Sequence, residues 1–137
     1  MATVTLTYQG DLRVECVHAE SGATLVTDAP KDNNGQGRAF SPTDLCATST
    51  AACATTIMAM YGNNHGLDLK GMKAEVTKIM AANPRRIARL EIAWTMPDLP
   101  YTENQKSALE YAVRTCPVFA SLHPDMEKHV VFHWPAC

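Results

Sequence analysis

The sequence predicts an α+β fold with the element order βββ-α-ββ-αα-β. Three observations carry it. Alternating segments flank a long stretch, "SPTDLCATSTAACATTIMAMY", that begins and ends with helix boundary signals. A second helical pattern, "ENQKSALEYAVRTC", follows the later alternating segments, and "PVFASL" continues it past a proline. The segment "EKHVVFHW" then reads as a closing strand.

The first two strands are "VTLTYQG" and "DLRVECVHAESG", joined by a tight turn near Gln9, Gly10 and Asp11. In the second, Leu12, Val14, Cys16 and His18 share one face, and Arg13, Glu15 and Val17 share the other. "ATLVTDAP" is the third strand, and "KDNNGQG" is a loop by composition. Ser41 is placed to cap the long helix, Pro42 suits its first position, and Asp44 completes a capping box in place of glutamate. The helix should stop at "YGNNHG". A strand from about Met72 and a strand in "RRIARLEIAWTM" are joined by the turn "ANPRR". In the latter, Ile87, Arg89, Glu91 and Ala93 oppose Ala88, Leu90, Ile92 and Trp94. Thr102 caps the second helix, whose stripe is Ala108, Leu109, Ala112 and Val113. Glu103 lies early and Arg114 late, as the helix dipole prefers. Met58, Met60, Met72 and Met80 are expected in the core.

A chain of 137 residues suits one domain, taken as residues 1–137. A net charge of −2 with no basic stripe argues against nucleic acid. The opening "MATVTLTYQG" has no leader organisation, so a cytoplasmic setting is expected. Residues 45–64 carry no charge, yet they are interrupted by threonines and serine. They read as a helix buried in a globular fold rather than a membrane span.

Five cysteines without a CxxC pair argue against a structural disulfide framework. The thiols are either buried hydrophobes or reactive groups. Cys46, Thr50, Cys53 and Ile57 fall on one helical face. Cys46 lies too far along the helix from Cys53 for a disulfide, and is expected to be packing. Cys116 stands where one helix stops and another starts, and exposed N–H groups there would favour its thiolate. Cys53, at mid-helix, would need a cation from elsewhere in the fold. Cys16 points with the apolar strand face, and Cys137 is taken as adventitious. His129, His133 and Cys137 would lie too far apart along a strand to share zinc easily, so no metal or other cofactor is expected.

Two motifs then bring a family into view. "SPTDLCATSTAAC", ending at Cys53, and "RTCPVFASL", holding Cys116, resemble the OsmC/Ohr family of bacterial thiol-dependent peroxidases. The stretch "TDAPKDNNGQGRAFSPTDL" is similar to one branch of OsmC-like proteins, and the element order agrees across nearly the whole chain. The resemblance implies an OsmC-like fold with a long buried central helix, in an intertwined homodimer with active sites at the subunit interface. It implies that Cys53 attacks a hydroperoxide and becomes a sulfenic acid. Cys116 then closes a Cys53–Cys116 disulfide, and a dithiol reductant, of lipoyl type in the Ohr branch, reopens it. The substrate would be an organic hydroperoxide or H2O2.

The resemblance also implies an activating arginine. Arg13 is the best match and Arg38 the fallback. Where the peroxidases place a glutamate that holds this arginine, the sequence has Thr43. Glu15, on the same strand face as Arg13, is expected to replace it in part. Two other readings stay open: a ligand-binding protein on the same scaffold, and a redox sensor or general thiol reductase.

Overall fold

The computed structural model describes residues 1–136, so Cys137 lies outside the described residues. The strands are β1 (Val4–Gly10), β2 (Arg13–His18), β3 (Thr24–Asp28), β4 (Lys73–Ala81), β5 (Arg86–Thr95) and β6 (Glu127–His133). The helices are α1 (Pro42–Asn64), α2 (Glu103–Arg114) and α3 (Pro117–Ser121). The observed order is the expected βββ-α-ββ-αα-β, with a single 3-10 turn at Lys31–Asn33 inside the loop before α1. The chain divides into two compact units, Met1–Cys46 and the residues from Ala47 onward.

In the first unit β1, β2 and β3 form an antiparallel sheet. Asp11 and Leu12 both have positive φ, +53° and +61°. That is the backbone of a two-residue hairpin turn whose twist matches the strands. The turn therefore takes Leu12 out of β2, where the alternation had put it. Register places Leu6, Cys16 and Leu25 side by side, and Arg13 opposite Asp28. Leu6 and Tyr8 are each 62% exposed, so the face carrying Cys16 is apolar yet open.

The 13 residues between β3 and α1 fold back on themselves. A Cβ on Gly35 would overlap the Ala29 carbonyl, so only glycine fits there. Gly35 and Gly37 donate their N–H groups to the carbonyls of Pro30 and Ala29. This compaction returns Arg38 to the end of β3. Ser41 then caps α1 as expected: its Oγ accepts from Asp44 N at 3.1 Å, and Asp44 Oδ2 accepts from Ser41 N at 3.0 Å.

In the second unit β5 is central, antiparallel to β4 and parallel to β6. Parallel neighbours need a crossover, and α2 and α3 supply it. Leu90, Ile92 and Trp94 are almost fully buried. Ile87 was expected with Arg89, but the pairing skips Ala88, and this bulge lets Ile87 be buried as well. Thr102 and Gln105 exchange the two hydrogen bonds of a capping box at α2, which buries Leu109, Ala112 and Val113.

The long helix α1 buries one stripe, Ala47, Thr50, Ala51, Ala54, Met58 and Gly62. Trp94 Nε1 donates to Thr55 Oγ1 at 2.9 Å, which ties the helix to β5. A second, uncharged stripe through Thr48, Ala52, Thr56 and Met60 is exposed in the single chain. Met60 was expected in the core and is instead 55% exposed, because it lies on this open stripe. Among the described residues no helix is long and apolar enough to cross a membrane.

Gly62 marks the closest approach of α1 to the segment that follows it. A Cβ there would lie 2.6 Å from the Leu67 carbonyl oxygen and 3.0 Å from Leu69 Cδ1. Gly62→Ala gains about 1 kcal/mol of helix propensity. Overpacking against a backbone atom opposes this with about 1–3 kcal/mol. The expected outcome is a lower urea midpoint; an unchanged or higher midpoint would show that the backbone gives way freely.

Candidate functional site

Two thiols meet in the second unit. Cys53 lies in the middle of α1, half-buried, one residue from the fully buried Ala54. Cys116 is the N-cap of α3, one residue after the C-cap of α2, and is fully buried. The fold brings Cys53 close enough to Cys116 to act on its thiol. Cys46 and Cys16 remain half-buried, each on its own element, and all four described cysteines are free thiols.

The environment of Cys116 corrects one expectation. Its Sγ accepts from Phe119 N at 3.3 Å, the cap of α3 that favours a thiolate. Burial acts the other way and is the larger effect, so the Cys116 thiol is pushed up from its ordinary range. The neighbouring Cys53, through its side chain and its negative charge, raises it further. The helix terminus alone had suggested the opposite direction.

An open cleft of about 740 Å³ is lined by Val113, Phe119, Phe132 and Trp134 together with the polar Glu110, Arg114, Lys128 and His129. Phe119 belongs both to this wall and, through its N–H, to the Cys116 cap. Phe132 stacks between Trp94 and Trp134, with ring centroids 5.4 Å apart on each side. His129 and His133 are exposed on β6, and no group of three potential metal ligands occurs among the described residues.

In the first unit Arg13 faces a carboxylate, but it is Asp28 rather than Glu15. Arg13 Nε lies 3.6 Å from Asp28 Oδ1, and Arg38 Nε lies 3.0 Å from Asp28 Oδ2. Arg38 also donates its backbone N–H to Asp28 Oδ2 at 2.9 Å. The Asp28 side chain has no exposed surface. The Arg38 hydrogen bond is the largest influence on it and holds its carboxyl below the usual range, against the opposing effect of burial. Thr43, where the family resemblance expects an acid, has its Oγ1 3.2 Å from Ser41 Oγ, and Asp44 is engaged in capping. Asp28 was not singled out in the sequence. The signal was an aspartate ending a strand one residue before "AP", with an arginine ten residues on.

The lowered Asp28 carboxyl predicts a pH dependence. Its folded value lies below the unfolded one, so the stabilisation is present above the ordinary aspartate range, near pH 4, and is lost as pH falls through the folded value. The Asp28→Asn protein should show a shallower loss of stability below about pH 4 in acid unfolding followed by circular dichroism. Parallel acid curves for the two proteins would remove Asp28 from the pH response.

With the geometry in place, the chain can be set beside known proteins. A family model described as OsmC-like protein matches residues 35–128. A crystal structure from Psychrobacter arcticus 273-4, described as a candidate osmotic stress induced and detoxification response protein, is 44% identical over 97% of this chain and 96% of its own, with a TM-score of 0.93. An OsmC-like protein from Mycoplasma pneumoniae has a TM-score of 0.80 at 16% identity, over 97% of this chain and 96% of its own. A Legionella pneumophila protein described as organic hydroperoxide resistance protein OsmC has a TM-score of 0.67 at 18% identity, over 99% and 98% of the two chains. Among curated proteins no match was found. The matched family region, the shared fold and the 44% identical relative agree: the chain belongs to the OsmC-like protein family.

Proposed function

We propose that the protein is a thiol-dependent peroxidase that reduces organic hydroperoxides or H2O2. The observation that carries the reading is the proximity of Cys53 to Cys116, residues more than sixty positions apart in the chain. In the first step the Cys53 thiolate attacks the O–O bond. Cys53 becomes a sulfenic acid, and the alkoxide leaves and takes a proton as the alcohol. In the second, Cys116 sulfur attacks the sulfenic sulfur, a Cys53–Cys116 disulfide forms and water leaves. A dithiol, of lipoyl type by family resemblance, then reduces the disulfide by two exchange steps and is itself oxidised to a cyclic disulfide.

The electrostatics of Cys116 suit this order of events. A charged Cys53 raises the Cys116 thiol, which keeps Cys116 protonated while Cys53 is the nucleophile. Oxidation consumes the Cys53 thiolate, so the influence of that thiolate charge is relieved when Cys116 must react. The cleft that shares Phe119 with the Cys116 cap, with Phe132 and Trp134 in its wall, supports an organic substrate. The Legionella relative's description as an organic hydroperoxide resistance protein supports the same class. Arg13 is proposed as the cation that stabilises the Cys53 thiolate, with Arg38 the other candidate. The working form is proposed to be a cytoplasmic homodimer, because α1 and the β1–β3 sheet each leave an uncharged, largely apolar surface open in the single chain.

One equivalent of tert-butyl hydroperoxide added to the reduced protein should give a Cys53–Cys116 disulfide, seen by mass spectrometry. Cys53→Ser should abolish it, and Cys116→Ser should leave a sulfenic acid that dimedone traps. Arg13→Ala should slow the first step by about a hundredfold. Slow, unselective oxidation of all thiols would instead favour a ligand-binding role. Sedimentation should give twice the 14.9 kDa chain mass, and the single-chain mass would remove the dimer.

A further inference from the structure

We propose that closing the Cys53–Cys116 disulfide uncaps α3 and swings Phe119 out of the cleft wall, so that the oxidised protein presents a different surface there from the reduced one. The inference rests on the peroxidase reading and adds a conformational readout to it. Cys116 is the N-cap of α3, and its Sγ accepts from Phe119 N at 3.3 Å. Phe119 also lines the cleft of about 740 Å³, together with Val113, Phe132 and Trp134. One residue therefore joins the sulfur whose bonding changes to the surface that reports the change.

Little else holds α3 in place. It spans five residues, Pro117–Ser121, and buries none of them. Its first residue is a proline and offers no N–H. Its other bonds are all local: Ala120 N donates to Cys116 O at 3.1 Å, Leu122 N to Phe119 O at 3.3 Å, and Ser121 Oγ to Pro117 O at 2.8 Å. Cys53 sits in the opposite setting, inside a helix of 23 residues with Thr50, Ala51 and Ala54 buried around it. When the Cys116 sulfur attacks the sulfenic sulfur, an S–S bond forms, and the sulfenic hydroxyl leaves and takes the Cys116 proton as water. The long helix keeps Cys53 where it is, so the adjustment falls on Cys116. Its sulfur is drawn toward Cys53 and is no longer a thiol acceptor for the cap. The Phe119 N–H then lacks a partner, and a donor left unpaired away from water is penalised. Opening α3 returns that N–H to water, and the Phe119 ring moves with its backbone. Reduction by the dithiol restores the thiol, the cap and the closed wall.

Hydrogen exchange of the full chain, read by mass spectrometry before and after one equivalent of tert-butyl hydroperoxide, tests the coupling. In the disulfide form the amides of residues 118–122 should exchange about tenfold faster, while those of α2 stay unchanged. Acrylamide should quench tryptophan emission more strongly, and the gain reads Trp134 on the cleft wall, because Trp94 is fully buried. Cys116→Ala removes the cap without any disulfide and should give fast α3 exchange in the reduced protein. Cys116→Ser, whose hydroxyl accepts from the Phe119 N–H, should keep that exchange slow even after peroxide. A disulfide seen by mass, with α3 exchange and quenching unchanged, overturns this inference and leaves the peroxidase reading standing. Absence of the disulfide overturns both. Equal α3 exchange in the alanine and serine variants, or faster exchange spread equally over α2, also overturns the inference.

Discussion

The hydrogen bond from Trp94 to Thr55 sets the geometry on which the second unit depends. A helix whose buried stripe is alanine, threonine and glycine apart from Met58 has few large knobs to fix its roll about its own axis. The indole N–H of a fully buried tryptophan supplies that fix, because a buried donor left without an acceptor is penalised. Once the roll is set, Ala54 and Met58 face inward and Cys53 is turned toward the junction of α2 and α3. The small stripe lets the helix come close, and the indole decides which way it faces when it does.

Each unit holds a charged or ionisable group whose behaviour is set by competition between burial and local hydrogen bonds. At Cys116 burial wins over the cap of α3, so a thiol at a helix start is raised rather than lowered. At Asp28 the hydrogen bond from Arg38 wins over burial, and the carboxyl is lowered. The difference is one of donor strength. A single backbone N–H at 3.3 Å from sulfur is a weak partner, whereas a guanidinium at 3.0 Å reinforced by its own backbone N–H is a strong one.

The order of elements was legible because each carries its own punctuation. Ser41 with Asp44 and Thr102 with Gln105 are local capping boxes, and the alternation of β5 spans ten residues. The pairing of Cys53 with Cys116 was reached through a family resemblance, since nothing local to either cysteine points to the other. The bulge at Ala88 was not legible, because neither glycine nor proline announces it. Asp28 was missed for a different reason. Its meaning comes from Arg13 across the strand pair and from Arg38 beyond a folded loop, and neither neighbour is apparent in one dimension. Met60 carried a hydrophobic label that says nothing about which stripe of α1 faces outward.

The parallel pairing of β5 with β6 has a consequence for how the chain reaches this state. Arg89 meets Glu127, 38 positions further along the chain, and Trp94 meets Phe132 in the same register. A hairpin such as β4–β5 can zip from its turn, but this edge cannot close until both helices of the crossover are in place. Until then Leu90, Ile92 and Trp94 lack their neighbours on one side, and an apolar strand edge stands unpaired. The second unit is therefore a late-closing structure. During synthesis its sheet waits on a strand translated after α3, and that interval is when the nascent chain is most exposed to wrong partners.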